Sequence, residues 1–395
     1  MPEAPELRPI GVADWAQSVR LGRLAFGGDM AAPIDDIPVE DARDRLGLFR
    51  GDRLVAKLSV IPYEQFFGGR AVPMGGVAGV AVVPEERGQG HATALLAAAL
   101  PRMRERGQVV SALFQTSAAL YRRSGWELAG ALSMTRLRTD ALSRARRPTG
   151  AVTIRACSPD DLTAVHDLYT ALARSRNGLL TRTGPAFPDG ATGILELDGV
   201  PLAVVEDEVV GYASYTRGSG YDVNSRLTVY EVVAATADGL AALLRHLGSW
   251  SNVAPTIDIR LLPADAAQLL LPEDVPGPHE VRSWMLRLVD APAAIAARGW
   301  PAGLRTSVDL DFADGICDWQ AGTWRLTVED GTGRLERGGD GTVRVSVGGL
   351  SSLYAAYTDA YTLRRGGLLS CSDDRMLEAL GAAFAGPRSA MLDYF

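Results

Sequence analysis

The stretch that most restricts this chain is Val80-Ala81-Val82-Val83-Pro84-Glu85-Glu86-Arg87-Gly88-Gln89-Gly90-His91-Ala92-Thr93. Its β-branched start predicts a strand, and the alanine- and leucine-rich run after it predicts a helix over residues 90–106. Between them, Gly88 and Gly90 permit backbone angles and close approaches that a Cβ would block. The amides of such a turn, with the free N–H groups that open the next helix, form a positive nest for an anion. A diphosphate fits such a nest. An ordinary strand–turn–helix connection shares this outline, so two glycines alone do not decide. Two phosphate loops are excluded: there is no GxxxxGK[S/T], and Gly88 and Gly90 are followed by Ala92 and Thr93 rather than by the third glycine of GxGxxG.

What the stretch resembles is the R/Q-x-x-G-x-G/A loop of the GCN5-related N-acetyltransferases (GNAT). Arg87-Gly88-Gln89-Gly90-His91-Ala92 matches it, behind a V-x-V-x-P strand. The resemblance implies that this strand splays from its neighbour. Pantetheine amides of acetyl-coenzyme A then pair with the backbone at Val80, Ala81 and Val82, and the diphosphate rests on amides from Gly88 through Thr93. A buried strand would otherwise have to satisfy those groups internally. The implied cofactor contacts are Val80, Ala81, Val82, Arg87, Gly88, Gln89, Gly90, His91, Ala92 and Thr93, with no metal.

Residues 109–115 predict a further strand, followed by a short helix that Gly125 closes. Tyr121 in this helix, before x-x-x-G-[F/W/Y], stands at the general-acid position of many enzymes of that family. A departing thiolate needs a proton, and a phenol can give one while its ring packs beside the pantetheine arm. Without the loop at its distance upstream, Tyr121 reads as a core aromatic.

With 395 residues the chain exceeds one ordinary domain. Strand signals at 46–50, 54–61, 76–83 and 109–115 alternate with helical patterns at 11–25 and 90–106, an α/β or α+β layer. Pro101 predicts a kink in the second helix or its end at Leu100. Ser143–Gly150 reads as a linker. A weak repeat follows. Leu7-Arg8 then Asp14-Trp15 resembles Ile154-Arg155 then Asp161-Leu162, and residues 51–56 resemble 206–211 in hydropathy. Two copies of one fold are predicted. The second keeps the strand and helix over Leu227–Gly239 but replaces the basic glycine turn, and Asp238 puts negative charge where a diphosphate would lie. A third segment, from near Asp290, carries strand patterns at 305–312, 323–329, 334–337 and 342–347. Helices are predicted near 350–358 and 373–384. The chain stops on Met391-Leu392-Asp393-Tyr394-Phe395, which predicts a docked end.

Composition narrows the class. A net charge of −7 argues against nucleic acid as a partner. Cys157, Cys317 and Cys371 lie far apart, as do His91, His166, His246 and His279, so neither disulfides nor a metal site is predicted. The start, Met-Pro-Glu-Ala-Pro-Glu, has no signal-peptide pattern. No apolar run approaches the roughly 18–20 residues of a membrane span. A cytoplasmic location is expected.

Taken together, the chain resembles the enhanced-intracellular-survival (Eis) family of actinobacterial acetyltransferases. The features are the Arg87–Thr93 loop, Thr116-Ser117 with Tyr121-x-x-x-Gly125-Trp126, and the order of the three segments. Val347-Gly348-Gly349-Leu350-Ser351-Ser352-Leu353-Tyr354 resembles a sterol-carrier strand-to-helix signature. The resemblance implies two tandem GNAT domains, 1–147 and 148–289, followed by a sterol-carrier-like domain, 290–395. The second GNAT domain is expected to be degenerate. Thr116 and Ser117 are implied to touch the cofactor. Phe395 is implied to supply its α-carboxylate as the base, which burial would raise from the usual α-carboxyl pKa of about 3.3–3.7. Aminoglycoside-type, polyamine or lysine amines are the implied acceptors, and a homohexamer the implied assembly. The loop here is poorer in arginine, and Tyr394 stands where those enzymes carry an acid. Asp29, Asp35 and Asp36 lie where they build the substrate pocket. The competing expectation is a lipid-binding protein, or an acyltransferase of myristoyltransferase type.

Overall fold

The computed structural model describes residues 4–36, 42–187, 190 and 192–395. The first half supplies β1 (Glu6–Pro9), β2 (Asp44–Arg50), β3 (Arg53–Phe67), β4 (Arg70–Val82), β5 (Val110–Phe114) and β6 (Glu127–Arg138). The second supplies β7 (Thr153–Ala156), β8 (Pro201–Val205), β9 (Glu208–Arg217), β10 (Arg226–Ala234), β11 (Thr256–Ile259) and β12 (Glu280–Leu288). Together they form one twelve-stranded sheet in the order β1-β2-β3-β4-β5-β12-β6-β11-β10-β9-β8-β7.

The repeat is visible in atomic detail. Arg8 grips Asp14 with two nitrogens at 2.7 and 2.9 Å, and Arg155 grips Asp161 at 2.8 and 2.7 Å. Each aspartate also accepts the backbone N–H three residues earlier, from Gly11 at 3.0 Å and from Ser158 at 2.8 Å. Such a box satisfies an orphan donor at a helix start. The helices Trp15–Phe26 and Leu162–Arg174 follow directly. A parallel pair then recurs, β4 with β5 and β10 with β11.

The halves are joined by exchange. β12, from the second half, lies between β5 and β6, and β6 pairs with β11. Trp284 on β12 is fully buried at this seam. A Cβ at Gly130 or Gly178 would stand 2.5 or 2.8 Å from its ring, so both neighbours are glycine. Burying each large apolar side chain of β12 contributes about 1.5–3 kcal/mol.

The third segment forms a five-stranded sheet from β13 (Thr306–Ala313), β14 (Gly322–Glu329), β15 (Thr332–Arg337), β16 (Val343–Ser346) and β17 (Leu369–Cys371), ordered β15-β14-β13-β16-β17. The helix Val347–Tyr354 is buried along its length, and Ser352 donates to Leu128 O at 2.7 Å. Ser346 caps it by accepting from Gly349 N. One apolar core runs from Phe67, Val72 and Met74, through Trp284, to Leu310 and Leu350.

The structure decides between two expectations for Pro101: the helix does not end at Leu100 but spans His91–Glu105, with Pro101 inside it. Pro101 faces solvent, where water can satisfy the carbonyl it leaves free. Residues 143–150 connect the two halves and are tied down by hydrogen bonds to the second. Ala145 is buried, Arg146 N donates to Leu270 O at 2.9 Å, and Thr149 N and Gly150 N both donate to Asp238 at 3.0 Å. The helix Ala360–Arg365 and β17 are too short for a sequence pattern to mark them.

Candidate active site

β4 and β5 pair only from Met74 to Gly76 against Val110 to Ala112. Beyond Gly76, β4 continues to Val82 paired with β3 alone. A bulge places Gly79 and Val80 opposite Leu58, and Gly79 takes a φ of 62°. Bulges add twist and re-aim the strand. One edge of β4 thus loses its strand partner toward Val82, leaving backbone groups there open to another partner.

This opening leads into a cleft of about 570 Å³. Val80, Ala81 and Val82 line one side, and Arg87, Gly88, Gly90, His91, Ala92 and Thr93 line its end. Thr116, Ser117 and Tyr121 complete it. Gly88 and Gly90 have φ of 80° and 83°, and nothing lies within 4 Å of a Cβ built on either. The backbone angle, not lack of room, requires glycine here. An unpaired strand edge leading to an open glycine turn at a helix start fits an amide-bearing arm that ends in a diphosphate.

Two predicted contacts sit differently. Gln89 does not line the cleft; its side chain accepts from Arg50 at 3.3 Å. The His91 ring is buried and lies 3.0 Å from Glu86, so its side chain supports the turn from beneath. Glu86 also receives Arg50 at 3.0 and 3.1 Å. Hydrogen bonds from Arg50 and then His91 hold its carboxyl down at about 2, so it stays ionised.

Tyr121 is buried in the cleft wall. Burial pushes its phenol above the ordinary value, and a hydrogen bond from Thr116 offsets part of this. The phenol therefore holds its proton at neutral pH. Phe395 does not line this cleft. Its ring packs on Tyr63 at 5.0 Å and on Phe114 at 5.5 Å, and lies 3.0 Å from a Cβ built on Gly76. Gly76 is the last β4 residue paired with β5, so the chain end reaches the mouth of the same opening. Phe114, which carries the tail, stands two positions before Thr116, which is bonded to Tyr121.

Asp29, Asp35 and Asp36 are exposed; the Asp29 side chain accepts from Ala31 N, and the Asp35 carbonyl accepts from Trp15. Ala25, Phe26 and Arg123 also border the cleft and were not predicted. A second cavity, about 410 Å³, lies in the second half against Leu392, Asp393 and Tyr394. Its charged residues, Arg182, Glu231 and Arg260, carry no local sequence pattern that marks them.

Residues 6–129 and 178–288 each match a model of the acetyltransferase (GNAT) domain, and 291–392 match the sterol carrier protein domain. A GCN5-related N-acetyltransferase from Kribbella flavida, known by crystal structure, is 32% identical over 99% of each chain, with a TM-score of 0.84. The chain belongs to the GCN5-related N-acetyltransferases, in their Eis-like branch. The N-acetyltransferase Eis of Mycobacterium tuberculosis is 28% identical over 80% of this chain and 78% of its own. An uncharacterized N-acetyltransferase of Streptomyces avermitilis is 26% identical over 92% and 91%. The enzyme is thus an acetyltransferase built from two GNAT domains and a sterol-carrier-like domain, and that domain type uses acetyl-coenzyme A. Among the described residues no helix is long and apolar enough to cross a membrane.

Proposed function

We propose that this enzyme transfers an acetyl group directly to a primary amine in a ternary complex, with Tyr121 as general acid and the α-carboxylate of Phe395 as general base. One observation carries the reading. A buried phenol that holds its proton shares a cleft with the unpaired edge of β4 and the Gly88–Gly90 turn. Acetyl-coenzyme A supplies the thioester carbonyl. The β4 backbone at Val80–Val82 aligns its arm, and the amides from Gly88 to Thr93 take its diphosphate. Tyr121 gives a proton to the leaving sulfur, and Phe395 takes one from the ammonium of the acceptor.

The reading assigns one active site per chain, within 1–147, with 148–289 as a non-binding copy and 290–395 delivering the chain end. At the corresponding helix start of the second copy, the Asp238 carboxylate accepts from Thr149 N and Gly150 N, so that helix start already carries a negative charge of its own. The acceptor is an aminoglycoside-type, polyamine or lysine amine. A hexameric, cytoplasmic enzyme follows from the same resemblance.

The test is thiol release across these amines, for the chain ending at Phe395 and for the chain lacking it. Loss of Phe395 is expected to lower kcat sharply while thermal stabilisation by acetyl-coenzyme A persists. Unchanged turnover would remove the base assignment. No stabilisation of the intact chain by acetyl-coenzyme A would remove the site.

A further inference from the structure

Arg182 stands where three parts of the chain meet. The segment before it adds to the free edge of β3. Gly178 N donates to Phe66 O, Phe66 N to Leu179 O, and Thr181 N to Glu64 O, at 2.8 to 3.0 Å. This fixes the Arg182 backbone to the first half. Its side chain turns to the second half and the chain end. Nε donates to Asp393 Oδ1 at 3.0 Å, and a terminal nitrogen pairs with Glu231. Glu231 also accepts from the Tyr212 hydroxyl. The guanidinium lies 3.8 Å over the Tyr169 ring, whose hydroxyl donates to Leu180 O at 2.8 Å. Next door, Arg260 donates to Leu392 O at 2.6 Å.

Arg182 adopts a φ of 55° to do this. A side-chain-bearing residue persists in that region only where its surroundings over-determine it, and such residues cluster at functional sites. Burial pushes the Asp393 carboxyl up, and the Arg182 charge opposes this, so the pair is the main reason an acid is tolerated here. Asp393 lies two residues before Phe395. Beyond it the tail is held by rings and one cation: Tyr394 packs on Phe114 at 4.6 Å with the Arg282 guanidinium 5.0 Å over its ring, and Phe395 packs on Tyr63 and Phe114. The Arg182–Asp393 pair is therefore the ion-paired anchor of the tail, two residues before the terminal carboxylate.

We infer that Arg182 is a positioning residue for acetyl transfer, which by clamping Asp393 sets the Phe395 carboxylate at the mouth of the opening between β4 and β5. The inference rests on the proposed role of that carboxylate. It explains why an arginine of the second half, outside the acetyl-coenzyme A cleft, is held in a costly backbone conformation. Misplacing a reacting group by about 1 Å costs roughly 10²-fold.

The test is a double-mutant cycle on kcat, measured by thiol release with the best acceptor from a panel of aminoglycosides, polyamines and lysine peptides. Arg182→Gln is made in the chain ending at Phe395 and in the chain lacking Phe395. In the first it is expected to lower kcat roughly 10- to 100-fold, with the KM for acetyl-coenzyme A unmoved. In the second it is expected to add no further loss. Asp393→Asn, which keeps the size of the side chain, is expected to give the same pattern and decides the matter if Arg182→Gln does not fold. A folded variant with unchanged kcat would overturn the inference. So would an equal loss in both chains, which marks a purely structural role. If removing Phe395 leaves kcat intact, the terminal-base proposal falls first and takes this one with it.

Discussion

The His91 ring nitrogen lies 3.0 Å from a Glu86 carboxylate oxygen, beneath the Gly88–Gly90 turn. The turn therefore rests on a hydrogen-bonded floor, in which Arg50 is ion-paired to Glu86. Because Glu86 is held at about 2, it contributes fully above the ordinary carboxylate range and is lost only as pH falls from there toward 2. Acetyl-coenzyme A affinity is expected to show no Glu86 titration between about pH 5 and 9. Glu86→Gln is expected to weaken binding by roughly three- to tenfold without a matching loss of kcat. Titration calorimetry checks both; an unaltered Kd would show that the floor does not shape the turn.

Gly90 has a φ of 83° at the start of the helix His91–Glu105. Gly90→Ala is expected to cost about 1–2 kcal/mol, because a Cβ strains this conformation. Titration of the unaltered chain is expected to give one acetyl-coenzyme A per chain, and Gly90→Ala to weaken that one site. A second site that survives in the variant would contradict the reading of the second copy.

Tyr121 has a raised pKa, so its proton is retained below that value and lost as pH climbs through it. The pH profile of kcat is expected to fall only on the far alkaline side. Thr116→Val removes the hydrogen bond that favours the phenolate, so this limb should move to higher pH. An alkaline limb that ignores Thr116 would mean another group controls it.

Lys57, on β3 in register with Ala81, is pushed down to about 8 by burial, with Arg45 adding to the effect. Its nitrogen donates to Ser18 O at 2.6 Å. The folded chain sheds this proton before the unfolded chain does. Between about 8 and 10.5 the unfolded state binds more protons, and stability rises with pH across that window. The melting temperature is expected to show this rise, and Lys57→Met to flatten it. A profile that is the same in both chains would place the titration elsewhere.

The parts legible in sequence were those whose physics is local. The repeated Arg8…Asp14 and Arg155…Asp161 start signals each fall within seven residues, and the Val80–Thr93 unit is a continuous strand, turn and helix. What escaped was non-local. Nothing in Glu280–Leu288 says that it inserts between β5 and β6, since strand order depends on partners far away in sequence, such as Glu127–Met134 and Val110–Phe114. Arg182, Glu231 and Asp393 lie on a loop, a strand and the tail, and only the fold brings them together. The inward turn of His91 was equally hidden, because the motif specifies backbone amides and leaves the side chain to find Glu86.

The central claim is that Tyr121 supplies the proton while the β4 opening and the Gly88–Gly90 turn hold the acetyl donor. Its most direct measurement is kcat for Tyr121→Phe beside the thermal shift produced by acetyl-coenzyme A. The account predicts a loss of roughly 10²–10⁴-fold in kcat with the thermal shift preserved. Turnover equal to that of the unaltered enzyme, with acetyl-coenzyme A still bound, would contradict it.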